Sequence, residues 1–152
     1  MNLFADPLLK LNEYNTLLEA VSNNLGPVSV IGPSDSQKVH IVYSMLTHIN
    51  AKGLFVTYNE MQARRAFEDF QLFLGDDVVY FPPKETMLYS VEAKSNDIIY
   101  QRVKTLLRCL NGDYKVIVLP AEALIQLITP KDVFMEGVIN IELGDQLKLE
   151  EL

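Results

Sequence analysis

A chain of 152 residues, 49% of them hydrophobic, can build one core and at most a piece of a second domain. A formal net charge of −7 opposes binding to nucleic-acid phosphates unless the basic residues cluster. The one cysteine, Cys109, excludes an internal disulfide and a zinc cluster and reads as a buried small hydrophobe.

In chain order, Leu11, Tyr14, Leu18, Val21 and Leu25 recur at steps of three and four and predict a helix stopped by Gly26-Pro27. "VSVI" (Val28–Ile31) predicts a short strand ending at Gly32-Pro33. Val39, Val42, Tyr43, Leu46 and Ile49 predict a second helix. "GLFVTY" (Gly53–Tyr58) is a continuous apolar run, expected for a strand covered on both faces. Asn59, with Gln62 three positions on, predicts a helix cap. The helix it opens buries Met61, Ala66, Phe67, Phe70 and Leu74 and ends at Gly75.

"DVVYF" predicts a third strand, and Pro82-Pro83 turn the chain into a loop as far as Lys94. Ser95 is placed to cap a helix carrying Ile99, Val103, Leu106, Leu107 and Leu110, which Asn111-Gly112 ends. "KVIVL" (Lys115–Leu119) is a fourth strand, and "PAEALIQLI" a helix with Pro120 near its start. Strands alternating with helices imply an α/β fold with a parallel sheet and flanking helices. The expected division is one domain over 1–136 and the opening strand of another over 137–152, where "GVINIEL" alternates at period two. From Asp132 onward six acids face one base, Lys148, which argues against a DNA-binding tail. "MNLFADPLLKLNEY" lacks the features of a signal peptide. "VIVLPAEALIQLI" is broken by Pro120 and Glu122, so the expected location is the cytoplasm.

"VSVIGPSDSQKVHIV" (Val28–Val42) has the layout of a phosphate-binding loop, strand–GxxxxGK[ST]–helix. Gly32 and Lys38 are in register with the motif. Gln37 stands where a second glycine would let the backbone approach phosphate, and Val39 where a hydroxyl would hold magnesium. Pro33 removes one N–H from the loop, although a helix N-terminus would still attract an anion. No strand ends in the acid that nucleotide hydrolysis needs for its metal, so neither catalytic residues, metal nor cofactor are expected. His40 and His48 lack a third ligand. Ser34, Asp35 and His40 lack the strand-to-helix elbow of a nucleophile. Arg64 and Arg65 beside Glu68 and Asp69 predict helix ion pairs. Lys94, Arg102, Lys104 and Arg108 form the best basic cluster; Lys104 and Arg108 share a helix face and are the candidates for weak phosphate contacts.

Four stretches carry a family resemblance: "VIGPSDSQKVHIV", "GLFVTYNEMQARRAFEDFQLFLG", "VVYFPPKETMLYSVEAKSNDIIYQRVKTLLRCL" and "YKVIVLPAEALIQLITPKDVF". In order and spacing they resemble the N-terminal part of bacterial transcription-repair coupling factors, a region similar to the excinuclease B subunit. The departures are Lys84, where an aromatic often precedes an "ETLPY"-like turn, and Leu88 in place of its proline. The resemblance implies a degenerate P-loop, helicase-like domain that has lost nucleotide binding. It implies a scaffold without activity of its own, packed against other domains of a longer protein. The excinuclease A subunit would be recruited by the following domain. ATP-driven translocation, and contact with RNA polymerase and DNA, would belong to the parent protein. The piece itself is expected to be a monomer. The alternative is a phosphate- or nucleotide-binding α/β domain that completes its site with a missing half.

Overall fold

The computed structural model describes residues 2–84 and 96–139. Helix α1 spans Asn12–Ser22, α2 Asp35–His48, α3 Glu60–Leu74, α4 Asn96–Asn111, α5 Ala121–Leu124 and α6 Lys131–Glu136. Strand β1 spans Gly53–Thr57, β2 Val78–Tyr80 and β3 Val116–Pro120. The strands form one parallel sheet in the order β1-β3-β2.

That order fixes the faces. The step from β1 through α3 to β2 passes over one strand position, and the step back through α4 to β3 runs the other way. Right-handed crossovers in opposite directions put their helices on opposite faces. Accordingly, Ala63, Ala66 and Phe70 of α3 pack with Val78, Tyr80, Val116 and Val118, and Val39, Tyr43 and Leu46 of α2 join the same core. Leu106 of α4 and Ala123 of α5 cover Phe81, Ile117 and Leu119 on the reverse face.

Local chemistry sets the helix ends. Asn59 Oδ1 accepts from the Gln62 amide at 2.9 Å, as the cap predicts, and Gly75 leaves α3 at φ +57°, where a side chain would be strained. The N-terminal segment, including a 3-10 turn at Asp6–Lys10, is fastened to α2. Asn2 Nδ2 donates to Tyr43 Oη at 2.7 Å, and the His40 ring nitrogen Nε2 meets the Phe4 carbonyl at 2.7 Å. The Tyr14 hydroxyl lies 2.8 Å from His48 Nδ1, while His48 Nε2 is 3.5 Å from Asp6 Oδ1. Both histidines are thus structural. The backbone N–H of Asn2 and, secondarily, His48 hold the Asp6 carboxyl below its usual range.

Four expectations are corrected. Val28–Ile31 has no regular secondary structure and lies outside the sheet, and Ile31 is 92% exposed. Flanking Pro27 and Pro33 can donate nothing to a ladder, and no neighbouring strand among the described residues accepts the segment. Among the described residues β1 is covered on one face only: Phe55 packs inward, while Leu54 is 55% exposed and Val56 43%. The "PAEALIQLI" helix stops at Leu124, and Met61 faces solvent. Helix α6, for which the sequence offered no clear signal, starts after Pro130. The loop from Glu85 to Ser95, with the Ser95 cap, and the alternating stretch from Asn140 onward lie outside the described residues.

Candidate functional site

A cavity of about 250 Å³ opens at the C-terminal end of β1, between the first turn of α2 and the middle of α3. In open parallel sheets this end of the strands is where ligands bind. Its polar lining comes from Asp35 and Lys38 of α2, Thr57 and Tyr58 at the strand exit, and Gln62, Arg65 and Asp69 of α3. Of the four motif positions, Lys38 and Val39 line this cavity, while Gly32 and Gln37 are not among its lining residues.

What they do there differs from phosphate binding. Lys38 Nζ donates to Asp35 Oδ1 at 2.9 Å, so the motif lysine already holds a carboxylate. Ser36 Oγ donates to Asp69 Oδ2 at 2.9 Å, tying the first turn of α2 to α3. Gln37 Oε1 accepts from the Ser34 N–H at 2.8 Å, closing one half of a capping box. Val39 is 1% exposed and belongs to the main core. Asp35 also supplies the negative charge that the α2 N-terminus favours. Two cations and two carboxylates share the lining, so the cavity carries no formal net charge for a polyanion to exploit. Gly32 keeps φ +105°, and a Cβ added there would meet no heavy atom within 4 Å, so its role is conformational.

Of the other basic candidates, Lys94 lies outside the described residues, and Arg102 and Arg108 are engaged within the fold. Arg108 Nε pairs with Asp113 at 3.1 Å and its Nη2 donates to the Asp76 carbonyl at 2.6 Å, so it ties α4 to the turn before β2. Of the two expected phosphate contacts, Lys104 is exposed, and Arg108 is engaged by Asp113 and Asp76. Arg102 is 6% exposed, donates to the Pro82 carbonyl and stacks 4.1 Å over the Phe81 ring. Burial pushes its guanidinium pKa down. Arg64 pairs back with Glu60 at 2.6 Å rather than forward with Glu68. Cys109 is half-buried, and burial raises its thiol. Arg65, Asp69 and Tyr58 were not legible in the sequence as cavity residues. Only the predicted strand-then-cap register at Thr57–Asn59 hinted that this corner was open.

No protein-family model matches the chain, and no solved structure matches it. Among curated proteins, it is 20% identical over 142 residues to the transcription-repair-coupling factor of Bacillus subtilis, a match covering 93% of this chain. The chain resembles transcription-repair coupling factors. The coupling factor of Staphylococcus epidermidis is 23% identical over 81% of the chain, and that of Staphylococcus aureus 22% over 80%. The chain spans 10–12% of the length of these coupling factors. No described helix is long and apolar enough to cross a membrane.

Proposed function

We propose that the chain is a scaffold module of a coupling-factor-like protein in transcription-coupled nucleotide excision repair. In this reading it has no catalytic activity. It holds in place the domain that recruits the excinuclease A subunit, and RNA polymerase, DNA and ATP are handled by other parts of the parent protein. The observation that carries the reading is the similarity to coupling factors over 80–93% of the chain. The loop chemistry supports it: at the lysine, glycine and hydroxyl positions of the motif stand an ion pair, a capping side chain and a core valine.

The test is a capture experiment with the excinuclease A subunit. The 152-residue chain is compared with a longer polypeptide that continues through the following domain of a coupling factor. The longer polypeptide is expected to retain the subunit and the chain alone to lose it. Equal capture by both would place the docking surface in this chain and overturn the division between scaffold and recruiter.

The cavity favours a second reading, a site for a small anion completed by another domain. Lys38 and Arg65 both line it, and Arg65 makes no ion pair among the described residues. Binding of inorganic phosphate that is lost in Arg65→Ala and Lys38→Ala would favour this reading.

A further inference from the structure

We propose that Asn2–Ser22 is an exchangeable arm: the face of α2 and α3 on which it lies in its own chain also receives the same segment of a second copy.

The arm is an internally bonded unit. Asn2 Oδ1 accepts from the Phe4 and Ala5 amides at 3.0 Å, and Asp6 Oδ2 accepts from the Asn2 amide at 2.8 Å. Asn15 Nδ2 donates to the Leu9 carbonyl at 2.9 Å, tying α1 back to the 3-10 turn. A segment that carries its own turns loses less conformational freedom when it docks.

Its socket is one surface. Among the described residues, each hydrogen bond and ring contact between the arm and the helices and strands of the core ends on α2 or α3. Phe73 stacks on both His40 and Tyr43, at 5.6 and 4.7 Å, and so joins the two helices at this face. Ala5 is fully buried there, against the main core. Around it Tyr43 Oη accepts from Asn2, His40 holds the Phe4 carbonyl, and Phe73 meets the Phe4 ring edge-on at 5.7 Å. His48 takes Tyr14 on one ring nitrogen and faces Asp6 with the other. The socket thus selects an asparagine, an aromatic, a small residue and an acid in one order, Asn2-Leu3-Phe4-Ala5-Asp6, and a second copy carries that order.

The tether between arm and core is unfastened. No backbone group from Gly26 to Pro33 forms a hydrogen bond among the described residues, and the chain is exposed from Ser22 to Gly32. Extended, a tether of this length reaches at most about 40 Å, so the arm exchanges sockets without disturbing the sheet. The same contacts form in either chain, which makes exchange of an element between copies a low-cost route to a dimer. The tether sets the balance. A short flexible linker holds the arm near its own socket at an effective concentration on the order of 1 mM, so the closed monomer prevails in dilute solution. Exchange takes over where docking within the chain is blocked.

Two complementary sets of substitutions in the intact chain test this. His40→Ala/Tyr43→Phe/His48→Ala spoils the socket and keeps the arm. Asn2→Ala/Phe4→Ala/Tyr14→Phe spoils the arm and keeps the socket. At up to about 1 mM each variant alone should sediment as a monomer, and an equal mixture should give a heterodimer. In the mixture, the α1 amides of the socket variant should exchange roughly tenfold more slowly than in that variant alone, while β3 amides stay protected in all samples. If either triple variant loses β3 protection, the milder pair His48→Ala and Phe4→Ala is read in the same way. Folded variants that stay monomeric on mixing would overturn the proposal. So would a dimer of either variant alone, which places the contact between copies elsewhere.

Discussion

Lys38 and Asp35 lie one helical turn apart with Nζ and Oδ1 at 2.9 Å, so the residue that would reach for phosphate already holds a carboxylate of its own helix. Both side chains are largely solvent-exposed, and an exposed pair of this kind contributes about 0–1 kcal/mol. The pair therefore withholds the lysine without being a strong structural element. Asp35→Asn should leave stability within about 0.5 kcal/mol of wild type. Titration with magnesium–ATP by calorimetry should show no site tighter than about 100 μM in either protein, equivalent to about −5.5 kcal/mol. A tighter saturable site in the wild type would contradict the scaffold reading. One appearing only in Asp35→Asn would identify Asp35 as the block.

Restoring the motif is expected to damage the fold before it creates a site. Val39 is buried among Tyr43, Leu46, Ala63 and Phe70, so Val39→Thr puts a hydroxyl into an apolar core, at about 1–3 kcal/mol. Gln37→Gly removes the bond to the Ser34 N–H and adds about 1 kcal/mol of helix cost. Denaturant midpoints should show the double variant clearly destabilised, with no ATP turnover above a matched variant that also carries Lys38→Ala. Turnover above that control would reveal a metal-holding acid that the described residues do not display.

The contrast between these two residues shows what was legible. Gln37 and Val39 read from sequence as missing ligands, and that reading rested on side-chain chemistry alone. That Val39 is a core residue depended on how α2 rotates against α3, which the spacing Val39–Val42–Tyr43–Leu46 did reveal. Strand β3, with its run of apolar residues, was equally plain, because it is central and buried on both faces. Strand β1 misled: the same apolar run lies at an edge, where position in the sheet decides burial and no local signal reports it. Val28–Ile31 misled for a related reason, since strand propensity cannot say whether a partner edge is engaged. The contacts of Asp69 with Ser36, and of Arg108 with Asp76, join segments about thirty residues apart, and no periodicity encodes them.

DNA binding should be weak and fully salt-sensitive. The net charge is −7, Arg102 is buried and Arg108 is engaged, which leaves Lys104 as the exposed cation of that cluster among the described residues. A gel shift with duplex DNA at low salt should vanish at about 150 mM salt, because only a patch making many phosphate contacts survives that change. Lys104→Ala should change the low-salt shift little. Binding that persists at physiological salt and falls in Lys104→Ala would restore the basic face to consideration.

Tyr14 and Tyr80 provide a test of opposite outcomes at one functional group. Both rings are buried. The Tyr14 hydroxyl is bonded to His48 Nδ1 at 2.8 Å, whereas the Tyr80 hydroxyl has no hydrogen-bond partner among the described residues. Tyr14→Phe deprives a partly buried imidazole of its partner and should cost about 1 kcal/mol. Tyr80→Phe removes an unsatisfied buried hydroxyl, keeps the ring under Arg64, and should be neutral or stabilising. Burial pushes both phenols up to about 12, with the Glu60 carboxylate adding to the effect at Tyr80. In the unfolded chain a tyrosine titrates near 10, so above that pH the unfolded state holds fewer protons than the folded state. Stability contributed by these residues is therefore complete below about pH 10 and declines as pH rises toward 12. Denaturant midpoints measured from about pH 8 to about pH 11.5 should fall more steeply in the wild type than in the Tyr14→Phe/Tyr80→Phe double variant. Parallel slopes would mean that neither phenol is held neutral by the fold.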